Sequence, residues 1–83
     1  MPTLLYFARL RETFGVEREQ VPLQAPANVA GLLDALRARG SVWATELAPG
    51  RAFRVAVNQR IANAETAVAD TDEIAIFPPV TGG

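Results

Sequence analysis

One stretch of this chain has strict helical periodicity, and everything else must be arranged around it. Val29, Leu32, Leu33 and Leu36 fall at i, i+3, i+4 and i+7, which lines one face of a single helix with branched aliphatic side chains. Asn28 stands where an N-cap is needed, and Gly40 where a C′ residue would close the helix, with Arg37 and Arg39 near the negative end of its dipole. A lone amphipathic helix cannot bury its stripe by itself, so the remaining short apolar runs have to supply a sheet for it to lie on.

Those runs have strand character. Residues 3–8 are apolar at both parities, as for a strand covered on both faces, and residues 19–23 put Val21 and Leu23 on one parity, with Pro22 indicating an edge. Between them residues 10–14 form a turn or short helix that Gly15 can end in the left-handed region. After the helix, Val42, Trp43 and Leu47 suggest a further helical turn before Pro49-Gly50. Phe53, Val55 and Val57 alternate with Arg54 and Ala56, so the odd positions should face the helix. Asn58-Gln59 turns into a brief extended stretch at Arg60-Ile61, Asp70-Thr71-Asp72 turns again, and residues 73–77 form the last strand with Ile74 and Ile76 inward. The order is two strands, a helix, then two or three strands. It predicts an α+β domain over residues 1–83, with a mixed sheet on one main helix and the last strand returning parallel to the first.

Composition removes many functions. At 83 residues with 49% hydrophobic content the chain folds as one small domain, too small for a large substrate pocket of its own. A formal charge of −1 is not the footprint of a nucleic-acid binder. There is no cysteine and no histidine, so the usual thiol nucleophile, neutral-pH proton shuttle and soft metal ligands are missing, and no metal site is expected. No apolar run is long enough to span a bilayer and no basic segment opens the chain, which points to a cytoplasmic protein away from membranes. Every basic side chain is arginine, a feature that compositional habit explains as well as any protection of an activated acyl group from lysine amines.

The chemistry is therefore expected at the end of the chain. Pro78-Pro79-Val80-Thr81-Gly82-Gly83 makes residues 78–83 a stiff-rooted, flexible tail tipped by two residues without side chains, with Gly83 offering a free carboxylate. At about 3.3 to 3.6 Å per residue such a tail reaches roughly 20 Å, enough to enter a partner's active site. Phe77 takes the parity opposite to Ile74 and Ile76. Either it joins Ala75, Ala56, Leu5 and Phe7 on an open sheet face, or it packs under the loop around Ile61.

Phe7-Ala8-Arg9-Leu10-Arg11-Glu12 with Gly15, Val57-Asn58-Gln59, and Asp72-Glu73 leading to Phe77-Pro78-Pro79-Val80-Thr81-Gly82-Gly83 together resemble, end to end, the small subunit of molybdopterin synthase, a ubiquitin-like β-grasp sulfur carrier. The resemblance implies that Gly83 is adenylated by an E1-like enzyme that consumes ATP, passing through a transient glycyl-adenylate, and that a persulfide protein then supplies sulfur to make a thiocarboxylate. It further implies that Pro78, Pro79, Val80, Thr81 and Gly82 enter the large subunit, where sulfur passes to precursor Z to build the molybdopterin dithiolene. It places Phe7, Arg11, Ile61 and Phe77 on the contact surface, two small subunits with two large ones, and no permanently bound cofactor. Arg11 can equally be a solvated side chain, Phe7, Ile61 and Phe77 can be ordinary core, Trp43 reads as packing, and Arg9 and Arg60 read as solvated. Three other uses fit the same residues: a thiamine-type sulfur carrier, a ubiquitin-like modifier joined to lysines, and a binding module whose terminus does nothing.

Overall fold

The computed structural model describes residues 1–23 and 27–78. Among them the elements run β1 (Thr3–Tyr6), α1 (Ala8–Phe14), β2 (Arg18–Gln20), β3 (Ala27–Asn28), α2 (Val29–Arg37), α3 (Ser41–Glu46), β4 (Arg54–Val57), β5 (Arg60–Ile61), β6 (Ala67–Val68) and β7 (Glu73–Phe77). The main sheet has the order β2-β1-β7-β4-β5, and β3 pairs with β6 apart from it. β7 lies at the centre, parallel to β1 and antiparallel to β4, as the strand order in the sequence predicts.

α2 follows from its stripe. Val29, Leu32, Leu33 and Leu36 are buried, and the Asn28 side chain accepts the Gly31 N–H at 2.8 Å, satisfying one of the first-turn donors. They join Leu4, Tyr6, Val55, Val57, Ile74 and Ile76 in one buried cluster, to which α1 adds Leu10 and the residue after α3 adds Leu47. The odd positions of β4 thus face the helix as their alternation requires.

Several expectations are corrected. β1 ends at Tyr6 rather than running to residue 8, because Ala8 takes a left-handed φ of 52° and turns the chain into α1. For a residue with a Cβ that conformation costs about 1–2 kcal/mol. β1 is covered on one face only: Leu4 and Tyr6 are buried while Leu5 is half-buried and Phe7 exposed. The second strand is Arg18–Gln20, the edge strand, and Pro22 lies beyond it, where its missing N–H breaks no ladder. Gly40 is not the C′ residue of α2, which ends right-handed at Ala38, although the Gly40 N–H donates to the Arg37 carbonyl at 2.9 Å. The φ of 74° at Gly40 also opens α3, whose Trp43 N–H bonds the Gly40 carbonyl. Gly15 at φ 73° does cap α1, donating to the Arg11 carbonyl at 3.0 Å. Four described strands follow α2, not two or three, since the two-residue β6 is added. Arg9 is not simply solvated: it pairs with Glu46 and so ties α1 to α3.

A polar and aromatic clamp closes the helical side at the β2 edge. The Tyr6 hydroxyl donates to Glu19 at 2.7 Å, and Arg39 donates both Nη groups to the same carboxylate at 2.9 Å each. Trp43 stacks on Phe14 with ring centroids 3.9 Å apart, and Arg39 lies 4.4 Å over the Trp43 ring. The Arg39 hydrogen bonds hold the Glu19 carboxyl below its ordinary value of 4.5, and burial pushes the Tyr6 hydroxyl well above its ordinary value of 10.0. Unfolded chain therefore takes up protons before folded chain as the pH falls past 4.5, and releases them first as the pH rises past 10. The urea midpoint should drop on both sides of that window. Glu19→Gln should cost about 1–2 kcal/mol at neutral pH and flatten the acid limb in a pH series of urea melts.

Candidate functional site: the uncovered sheet face at the root of the tail

Strand register builds the site. Arg18 pairs with Leu5, Leu5 with Ala75, Ala75 with Ala56, and Ala56 with Ile61, so one row of side chains crosses all strands of the main sheet on the same face. That face is the one α2 does not cover, since its neighbours Leu4, Tyr6, Val55, Val57, Ile74 and Ile76 are the ones in the core cluster. Ala56 is buried yet lies outside that cluster, as expected for a small side chain between larger neighbours on the opposite face. One step toward the tail, Phe77 pairs with Arg54.

The apolar positions singled out in the sequence lie at this end of the sheet. Ile61 is 67% exposed and Phe7 45%. Phe77 is half-buried and is not among the partly buried side chains packed on the core, so it belongs to the open face rather than under the Ile61 loop. Phe7 continues the β1–β7 ladder with an N–H bond to the Ile76 carbonyl at 3.2 Å, and its own carbonyl accepts from Leu10 and Arg11, which fixes the residue where β1 gives way to α1. Arg11 sits in the last turn of α1, half exposed, 4.0 Å from an exposed Glu17, a separation at which the pair contributes little. Pro78, the last described residue, is half-buried beside Phe77. Pro79, Val80, Thr81, Gly82 and Gly83 lie outside the described residues.

Asn58 and Asp72 hold the β4–β5 turn against the start of β7. Asn58 donates to Asp72 at 2.9 Å and accepts the Glu73 N–H at 3.0 Å, while Asp72 also accepts the Ala69 N–H at 2.8 Å. The Ala69 N–H and then Asn58 hold the Asp72 carboxyl below its ordinary value of 3.8. This latch accounts for Asn58 at a φ of 50°, and it fixes the arm that carries Ile61. The sequence marked these residues without showing that they bond to one another, because the partners are 14 and 15 positions apart.

The described surface has little chemistry of its own. A cleft of about 290 Å³ is lined by Pro2, Leu23, Ala27, Ala67, Val68, Ala69 and Asp70, and no acidic cluster among the described residues could hold a metal ion. No described helix is long and apolar enough to cross a membrane. What the arrangement offers is an apolar platform with the tail leaving from its central strand.

The ThiS family matches residues 4–83. The molybdopterin synthase sulfur carrier subunit of Haemophilus influenzae is 41% identical over 83 residues, covering 100% of both chains. Among solved structures, a putative molybdopterin converting factor subunit 1 from Pyrococcus furiosus superposes with a TM-score of 0.81 at 26% identity, covering 95% of this chain and 97% of that one. The small archaeal modifier protein 1 of H. volcanii superposes with a TM-score of 0.71 at 32% identity, covering 95% and 97%. With a β-grasp sheet whose central strand runs into the Gly-Gly tail and a match along nearly its whole length, the chain belongs to the ThiS family and stands among the ubiquitin-like sulfur carriers of the molybdopterin synthase small-subunit kind.

Proposed function

We propose that this chain is the sulfur-donating subunit of a cytoplasmic molybdopterin synthase, with the carboxylate of Gly83 as the group that carries sulfur. A carboxylate is a poor electrophile. An E1-like enzyme therefore joins it to AMP from ATP with loss of pyrophosphate; the terminal sulfur of a persulfide protein then attacks the glycyl carbonyl and expels AMP, and the acyl disulfide so formed is cleaved by a thiol reductant, which supplies the two electrons and ends as a disulfide with the donor sulfur. The resulting thiocarboxylate is anionic and soft at neutral pH, so it is nucleophilic without a neighbouring base, which suits a chain without cysteine or histidine. Pro78, Pro79, Val80, Thr81 and Gly82 pass into the large subunit, where sulfur is given to precursor Z. Oxyanion donors and any magnesium come from the partners. Phe7, Ile61 and Phe77, with Arg11 at their margin, hold the large subunit, in an assembly of two small and two large chains.

The observation that carries this reading is an apolar row, uncovered by the helices and flanked by exposed Phe7 and Ile61, that crosses the strand leading into the tail. Intact mass of the chain produced together with its adenylating enzyme and a sulfur source tests it: the expected product has one oxygen replaced by sulfur. Unchanged mass under turnover with ATP would refute it. The likeness to an archaeal modifier protein favours one second reading, attachment of Gly83 to lysines of other proteins, which would appear as isopeptide adducts in an extract.

A further inference from the structure

The arginines divide by face. Among the described residues Arg9 and Arg51 pair with Glu46, Arg11 with Glu17, Arg37 with Asp34 and Arg39 with Glu19. Arg18, Arg54 and Arg60 are exposed and have no carboxylate within 4.0 Å among those residues, and all three lie on strands of the main sheet. Register divides these three again. Arg18 pairs with Leu5 and Arg54 with Phe77, which puts both on the uncovered face, whereas Arg60 pairs with Val57 and takes the core-side parity at the β5 edge. β1 and β7 separate the strands of Arg18 and Arg54, which are therefore about 14 Å apart across the sheet, with Arg18 at the β2 end of the apolar row and Arg54 beside Phe77 one step toward the tail. Glu73, the acid on this face, lies at the far end of β7 from Phe77. Two of the three described arginines without a carboxylate partner thus lie on the face of the apolar row in a chain of net charge −1.

We propose that Arg18 and Arg54 form a cationic rim that steers and registers docking, and that the surface received there is an apolar knob flanked by carboxylates on the protein that takes the tail. The inference rests on the proposed function, which supplies the large synthase subunit as that protein. Rim charges of this kind speed encounter and exclude wrong partners more than they add affinity, and they can raise association rates by roughly 10- to 1000-fold at low salt. Arginine suits the task because its planar fork binds carboxylates bidentately.

Stopped-flow association of the full chain with the purified large subunit provides the test, comparing Arg18→Glu, Arg54→Glu and Arg60→Glu. The third makes the same charge change on the other face. Arg18→Glu and Arg54→Glu should each slow association about tenfold at low ionic strength, with the difference closing near 1 M salt, where screening acts within about 3 Å. Arg60→Glu should associate like the parent. Equal slowing by Arg60→Glu would show that only net charge matters, and unchanged rates for Arg54→Glu would remove the rim; either result overturns the inference while leaving sulfur donation intact. Slowing confined to the adenylating enzyme, or self-association abolished by Arg54→Glu, would overturn the assignment to the large subunit. Failure of the parent chain to bind the large subunit at all would sink the inference and the proposed function together.

Discussion

Removing Gly83, or adding one residue after it, should abolish sulfur transfer and leave the urea midpoint of the domain where it was. Among the described residues every member of the buried core lies at or before Ile76, so folding is not expected to depend on the last residue. On the proposed function the chemistry should, because one residue would move the reacting carbonyl by about 3.5 Å, whereas misplacement by about 1 Å already costs some 10²-fold in rate. Single-turnover assays with the large subunit, run beside urea melts, separate the two effects. Retained sulfur transfer by the shortened chain would place the reactive group elsewhere, and a lowered midpoint would mean that the end of the chain has a structural duty.

Phe7→Asp and Ile61→Asp should each weaken binding to the large subunit by about 2 kcal/mol, roughly thirtyfold, while adenylation of Gly83 stays largely unchanged. Both side chains are exposed, at 45% and 67%, so a carboxylate at either position enters water in the free protein and meets an apolar partner only in the complex. Calorimetric titration against the large subunit gives the affinity, and pyrophosphate release with the adenylating enzyme gives the control. Loss of folding in either variant would show that these residues support the core. Undiminished binding would put the contact surface on another face.

What the sequence revealed depended on how far apart the interacting residues lie. The α2 stripe, its Asn28 cap and the alternation of β4 are set by neighbours within a turn or a pleat, and each is found where the pattern puts it. The parallel return of β7 beside β1 followed from connection rules applied to the element order. The two-residue strands β3 and β6 are too short to leave a period, and Gly40 was read only as the end of α2, whereas it also opens α3, because one positive-φ glycine can serve both elements. The pairing of Arg9 with Glu46, 37 positions away, and the meeting of Tyr6, Glu19 and Arg39 had no local signal at all. Of the candidate site, the outward parity of Phe77 was legible from strand alternation. The exposure of Phe7 was only one of two readings, since a strand apolar at both parities suggested cover on both faces, and only the left-handed turn at Ala8 shows why the strand stops there.

The central place of β7 has a mechanical consequence. A partner that grips the tail and tugs loads β7 along its length, against β1 on one side and β4 on the other, so the ladders resist in shear together instead of unzipping one bond at a time. Domains loaded this way yield at a rate set by the unfolding barrier, so a pull on the end of β7 leaves the body of the fold intact on timescales shorter than unfolding.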